Sequence, residues 1–580
     1  MRKHFDGSLL RLTARLALAG AHSFLPVALL GASATLVTAC ADENDPKTWA
    51  KQLQDPAGRV GAIKRFQTAF DDRMSKAGKN KEDPRVKEVL DAGVEPLAKT
   101  YTTATLDEKT RKDLIKLLSE MADPRGTPAF AKALNDFEPG KNEEDVRYAA
   151  LATKRLSEQN KLTDQTLVDA LWACFVKFRP SVSNKSINVV KDLRDSVVSV
   201  KHPSYGPKAI EKLAQPIIDP KDPTEGMDKV QFWYQVCIQI LGALKYGPAA
   251  KPLVTVLLTP NKLDLAGAAR LALMKIPDEA EVQLVAAAKG TDPDFAKLAS
   301  EYPNKGHVPW LAEALAYISR EKTRDAAIEL LNAADSDANR TLISMNLVHF
   351  ASDRNDKKVQ DAFFGAYSKM GNEAVSPNGN AHSVFWSVSA QLYDPAVTDW
   401  LLKEGTTAKG DAAAVWPQTA LPSAFKLMPL DKVKAVDEAL SKAHLNKQEK
   451  ERFGASFKAA SDTVTKCDKN ISCYLGKLDE PVPSSPPAAK MGHLKATYMI
   501  GCYGDDKARA DLAAKLEKVT DDAMRLAMVE AIDHLAPKGD AQIADNLEKL
   551  SAQDAAANKN DSAGVFLKYA LKLRSRATAK

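Results

Sequence analysis

Beyond its first forty residues the chain has no stretch long and apolar enough to span a bilayer, which takes roughly 20 residues. Metal ligands are equally scarce. The nine histidines are scattered, and the six cysteines include no Cys-x-x-Cys. No His-Glu-x-x-His helix is present, so a zinc site of ordinary spacing is excluded and no cofactor is expected. There is no Gly-x-Ser-x-Gly elbow and no phosphate-binding Gly-x-x-x-x-Gly-Lys-Ser/Thr loop. Two Ser-x-x-Lys pairs, Ser319 to Lys322 and Ser423 to Lys426, lack the Ser-Asp-Asn and Lys-Thr-Gly partners that would make them catalytic. Chance supplies as many, so no catalytic residue is nominated and an enzyme is not expected. Charge is also unremarkable: +6 overall, with both signs interspersed. The only basic spots, Lys76 to Lys81 and Lys572 to Lys580, read as a solvated loop and a solvated tail, which argues against a nucleic-acid partner.

What is there begins at the N-terminus. Arg2, Lys3, Arg11 and Arg15 form a basic start, and Phe24 to Val37 is apolar except for Ser33 and Thr35. That order is the pattern of a secretion signal, expected over residues 1–39. Its end, Val37-Thr38-Ala39-Cys40, resembles the lipobox of bacterial lipoproteins. The resemblance implies cleavage before Cys40, diacylglycerol on its sulfur and acylation of the new amino terminus, enough lipid for stable anchoring. The alternative is an ordinary signal peptide cut elsewhere, with Cys40 a plain cysteine. Ala41 stands where Asp would favour inner-membrane retention in enteric bacteria, so the outer membrane is favoured; which side of it the protein faces stays open. Residues 40–46 would be a short tether.

From Trp49 onward the apolar period is helical and strand alternation is absent, so the fold class expected is all-α. In Asp521 to Leu535, Met524, Ala527, Met528, Ala531, Ile532 and Leu535 make one stripe, with Glu530 and Asp533 off it. Asp521 is the expected N-cap and Pro537 the stop. Cys467 and Cys473 frame a short polar insert, and export would let a local disulfide between them persist. Cys174 and Cys237 fall in apolar stretches and are expected as buried thiols.

The helices also resemble one another. An Arg beside an apolar face recurs in Val146-Arg147-Tyr148-Ala149, Ala269-Arg270-Leu271-Ala272, Asn339-Arg340-Thr341-Leu342 and Met524-Arg525-Leu526-Ala527. Each follows another helix: residues 125–134, 247–254, 323–331 and 507–516. The four arginines are separated by 123, 70 and 185 residues, roughly three, two and four to five units of about 40, a HEAT or armadillo-type repeat length. With Asp145-Val146-Arg147 and the turn Asp123-Pro124-Arg125-Gly126, the chain resembles a degenerate HEAT-repeat protein. Its departures are two segments expected to be extended, Pro180 to Pro223 and Gly371 to Pro422. The His-Glu dipeptides of di-iron enzymes built on such repeats are also missing. The resemblance implies an α-α superhelix of antiparallel helix pairs, stacked so that neighbours bury a continuous core and leave a long concave face. The expected layout is an array over residues 47–478, a Pro-rich loop over 479–489 that cannot be helix, and a C-terminal repeat and cap over 490–580 with a last helix near Ala563 to Leu573.

Aromatics are the remaining feature. Phe232-Trp233-Tyr234 covers about 200° of a helix, and burial on several sides is the expectation. Trp386, Tyr393, Trp400 and Trp416 crowd around a break in the repeat, where they form a candidate binding surface, since aromatic anchors dominate interfaces; ordinary core packing is the favoured reading of the same rings. Together these features predict a membrane-tethered envelope lipoprotein that scaffolds an unidentified protein partner. The alternative is a carrier of a small ligand or cell-wall fragment, or an enzyme, using a pocket where the array is interrupted.

Overall fold

The computed structural model describes residues 44–579 except 183–186, 218–224, 351–355, 372, 378 and 486. The expected signal peptide, Cys40 and residues 41–43 of the tether lie outside the described residues. The first helix, Pro46–Gln52, starts on Asp45, whose carboxylate accepts from the Lys47 amide.

The helices form two rows. One row consists of α1 (Arg59–Lys76), α2 (Glu108–Met121), α3 (Glu143–Glu158), α4 (Ile187–Val200), α5 (Gln235–Leu244), α6 (Ala266–Leu273) and α7 (Val308–Ile318). It continues through α8 (Asp337–Leu347), α9 (Ala381–Val388), α10 (Gly410–Leu427), α11 (Met491–Tyr503), α12 (Asp522–His534) and α13 (Asn560–Ala577). Each packs on the next, and the helices between them in sequence form the second row. This is the all-α superhelix that the periodicity predicts. Stacking is what stabilises it, because a helix pair alone cannot bury its apolar face.

Local rules set the ends. Asp521 caps α12 by accepting from the Met524 amide at 3.1 Å, and the helix stops before Pro537. The recurring arginine ties neighbouring helices: Arg147 on α3 reaches Asp192 on α4 at 2.5 Å, and Arg270 on α6 reaches Glu313 on α7 at 2.8 Å. Arg340 instead pairs within its own helix with Asp337, and Arg525 bonds Asp554 in the other row.

Both segments expected to be extended are largely helical. Between Pro180 and Pro223 stand α4 and Tyr205–Ala214, with Pro203 in the turn and Pro207 in a first turn, where a missing N–H costs nothing. Between Gly371 and Pro422 stand α9, Val397–Thr407 and most of α10, with only a two-residue ladder of Val375–Ser376 against Gly379–Asn380. Pro417 and Pro422 lie inside α10, where buried Trp416, Ala420, Leu421, Ala424 and Phe425 hold the helix against their local cost. Among its described residues the Pro-rich loop holds no α-helix, as expected, with a 3₁₀ turn at Pro487–Lys490. Phe232, Trp233 and Tyr234 are all buried, on a π-helical turn at Lys229–Tyr234. Cys467 and Cys473 are disulfide-bonded, and Cys174 and Cys237 are buried thiols.

The C-terminus departs most from expectation. Instead of capping an open end, α13 returns to pack on α7 while still packing on α12. Helices α7 to α13 therefore close a circuit, a ring in which the concave face is turned inward. The arm α1 to α6 stays outside it. The carboxyl ends of α7, α12 and α13 meet at the closure. Arg320 donates to the Ser575 carbonyl at 3.0 Å, Ser575 Oγ to the Ile318 carbonyl at 3.0 Å, and Arg576 to Ser319 Oγ at 2.9 Å.

Candidate functional site

The candidate aromatic surface is interior, as core packing would have it. Trp386 and Trp416 are buried, donating to Tyr367 Oη at 3.1 Å and to the Leu401 carbonyl at 3.0 Å. Trp400 is half-buried, packed edge-on to Phe364 and Tyr367. Packing of paired helices consumes these rings. Tyr393 is the exception. It is buried with a left-handed backbone (φ 50°), stacked between Tyr498 and His534 with ring centroids 5.2 and 4.5 Å away, and its hydroxyl has no partner. Gln391 Oε1 beside it is also unsatisfied. Backbone strain and an orphaned buried polar group are each costly, and they concentrate at functional sites.

Tyr393 faces the ring interior, which is polar in layers. The floor is a charge cluster: Asp533 lies 2.6 Å from both Lys572 and Arg576, and Lys572 also donates to the His349 carbonyl at 2.9 Å. Burial would raise the Asp533 carboxyl, but Arg576 and Lys572 outweigh it and hold it down to about 2. Burial lowers the Lys572 ammonium to about 8 and the His349 ring to about 3. These residues overturn one expectation, since the basic tail is not solvated at Lys572 and Arg576; Asp533, off the apolar stripe, is buried with them.

One turn above the floor are Glu530 on α12, Lys568 and Tyr569 on α13, Tyr317 on α7, Tyr498 on α11 and Lys426 on α10. Lys568 Nζ lies over the Tyr317 ring at 4.4 Å, and Lys426 Nζ over Tyr498 at 5.1 Å. Burial lowers both ammoniums and raises the Glu530 carboxyl. With Tyr393, His349 and Gln391, Glu530 and Tyr569 enclose a hollow of about 10 Å³, one water's worth. Towards the rim Arg270, paired with Glu313, lies over the Tyr317 and Trp310 rings at 5.4 and 5.8 Å; Trp310 and Leu526, one turn before Glu530 on α12, are exposed apolar side chains. Of these residues the sequence reached Lys426 only through its chance pairing with Ser423. That hydroxyl is occupied, donating to the Ser387 carbonyl at 3.2 Å.

The arm carries a second feature, a groove of about 580 Å³ beside the amino ends of α2 and α3. Its walls present Glu108, Asp136, Glu138, Glu143, Glu144 and Asp145 against Arg111, Lys112 and Lys141. Asp145 is engaged by Arg111 at 2.5 Å and by Tyr101 Oη at 2.8 Å, and Glu138 by Lys141 at 2.6 Å. Glu143 is more than nine-tenths buried, and its Oε1 has no partner. A buried carboxylate oxygen without a donor is expensive, and a cation supplied from outside would satisfy it.

Among the described residues no group of His, Cys, Asp and Glu is arranged to hold a metal ion, and no helix is long and apolar enough to cross a membrane. Compared with the models of known protein families and with curated proteins, the chain matches none, so its functional reading rests on its own residues.

Proposed function

We propose that the chain is an exported lipoprotein, held at a membrane of the cell envelope through Cys40, that scaffolds a protein partner along a worn HEAT-type array. The arm α1 to α6 would dock the partner, because closure of α7 to α13 turns that part of the inner row inward. The observation that carries the reading is the acidic groove with the unsatisfied Glu143 carboxylate. Lys132 and Arg147 also pair with Asp136 and Glu144 of its six carboxylates, which leaves Glu108 and Glu143 without an ion pair among the described residues and favours a partner segment bearing Arg or Lys.

The test is in-cell crosslinking and affinity capture with four chains: wild type, Cys40→Ser, Glu143→Gln and Glu108→Gln/Glu143→Gln. The expected result is one partner at comparable abundance with the wild type, and its loss with the double variant. Cys40→Ser should leave the membrane fraction. Equal capture by wild type and double variant would remove the groove from the mechanism, and a Cys40→Ser chain that still sediments with membranes would remove the tether. A second reading, a small-ligand carrier, is favoured by the polar interior of the ring.

A further inference from the structure

The ring interior is more polar than closure requires. Burying charge costs several kcal/mol per ion unless it is paired and hydrogen-bonded. The floor meets that condition, since Asp533, Lys572 and Arg576 bond one another and the ends of α7 and α12. The layer above it does not. Among the described residues, the Lys426 and Lys568 ammoniums take part in no hydrogen bond and no ion pair: Lys426 has only the face of the Tyr498 ring, and Lys568 only those of Tyr317 and Tyr569. Glu530 has a single contact, Tyr569 Oη at 3.5 Å, too long to count for much. Three helices thus converge two ammoniums and one carboxylate on a common space without pairing them.

We propose that this cup, opening between Trp310 and Leu526, binds a small anion, a carboxylate or phosphate, carried on a flat or apolar body. Charge sets the sign. Two cations face one carboxylate in the floor and again in the middle layer, and the rim pair is neutral, so the cup carries a positive excess. Lys426 and Lys568, from α10 and α13, both act on the Glu530 charge from different helices, and neither has a hydrogen bond or ion pair to give up for an anion, only tyrosine rings. Low local dielectric makes such charge-assisted bonds stronger than at the surface. The rings of Tyr317, Tyr498 and Tyr569 supply aromatic walls, and the exposed apolar pair at the mouth accounts for the body. Tyr393 Oη, unsatisfied beside Glu530, can donate a further hydrogen bond to the anion. This inference rests on the carrier reading and is independent of partner docking on the arm.

The experiment titrates the full chain calorimetrically with phenyl phosphate, benzoate, inorganic phosphate and, as the charge-reversed control, benzylamine. One of the two aromatic anions should bind at one per chain and more tightly than inorganic phosphate, and which one it is separates phosphate from carboxylate recognition. Lys426→Gln and Lys568→Gln should each weaken it by at least about tenfold, the loss of one charge-assisted hydrogen bond, whereas Lys458→Gln on the surface should not. Amine acetylation of the wild type provides a second readout that does not depend on the folding of either variant: bound ligand should protect Lys426 and Lys568 but not Lys458. Absence of binding by both anions at millimolar concentration, equal affinity for benzylamine, or unprotected Lys426 and Lys568 would each overturn the proposal. Glu108→Gln/Glu143→Gln should bind the anion as the wild type does, so failure of docking on the arm and failure of the cup are distinguishable.

Discussion

Asp533→Ala is the sharpest perturbation of the closure. The carboxylate is buried between Lys572 and Arg576, whose side chains are 0% and 3% exposed. Removing it leaves two buried cations facing each other. Breaking a buried charge network by deleting one partner costs about 3–5 kcal/mol. The lower end applies here, for two reasons. Arg576 keeps the Ser319 hydroxyl and the Ala536 carbonyl at 2.9 and 3.1 Å. Lys572, already lowered to about 8, can shed its proton, which an arginine cannot do. The expected loss is therefore about 3 kcal/mol, and it should be local. Measured by amide hydrogen exchange, the opening free energy of α13 and of the end of α7 should fall by that amount, while α2 and α3 on the arm stay unchanged. Replacing all three charges together, as Asp533→Leu/Lys572→Met/Arg576→Met, should recover most of the loss, since apolar substitutes for a whole buried network are often neutral. A loss below about 1 kcal/mol, or exchange that rises as much on α2 as on α13, would refute the idea that this cluster holds the ring shut.

Two further outcomes follow from the same closure. His349 is held neutral down to about pH 3 by burial, with Lys568 and Lys572 adding to the effect and Asp533 opposing it. A base whose folded pKa lies below its unfolded value of 6.5 keeps its stability contribution above pH 6.5 and loses it as pH falls towards 3. Urea unfolding between pH 7 and 4 should show a decline of up to about 1.4 kcal/mol per pH unit from this group, and His349→Gln should flatten it; an unchanged slope would rule it out. Gly539 has φ 76°, and a Cβ there would meet the Leu573 carbonyl and the Ala577 amide. Gly539→Ala should cost about 2–4 kcal/mol, about 1 from the backbone and the rest from overlap, whereas Gly61→Ala, with open space around it, should be neutral or stabilising in thermal melts.

The parts of this fold legible in the sequence are those governed by neighbours in the chain. The α12 stripe, its Asp521 cap and the recurring arginine all depend on residues within a turn or a repeat, and each is found where the pattern puts it. Proline misled because its cost is positional. Pro207 sits in a first turn, where it is harmless, and Pro417 and Pro422 are outweighed by the buried face of α10, which no local rule anticipates. The closure was illegible for a different reason. It joins Arg320 to Ser575 across most of the C-terminal half, through Lys572 and Arg576 in a tail that composition alone assigns to solvent. The same reasoning hid the cup: Glu530 and Asp533 lie off the apolar stripe, and only a second set of helices behind them makes that face an interior. The aromatic cluster is core, the reading favoured for it over a binding surface, because large rings are as much core material as interface anchors.

Closure also separates the two proposed sites along the array. At most ~3.6 Å per residue, a lipid on Cys40 would lie within on the order of 20 Å of Pro46, the start of the first helix. The acidic groove, at the amino ends of α2 and α3, is then near the tethered end, whereas the cup needs α7 and α10 to α13 together and lies beyond the whole arm. A partner on the groove would be presented close to the membrane, and an anion in the cup would be held without reference to it. Loss of the tether should therefore abolish partner capture while leaving anion binding intact. Truncation before Asn560 should do the reverse: it removes Lys568 and opens the ring, but leaves every residue of the groove in place. If truncation abolished partner capture as well, the arm would depend on the ring for its shape, and the two halves would have to be treated as one site.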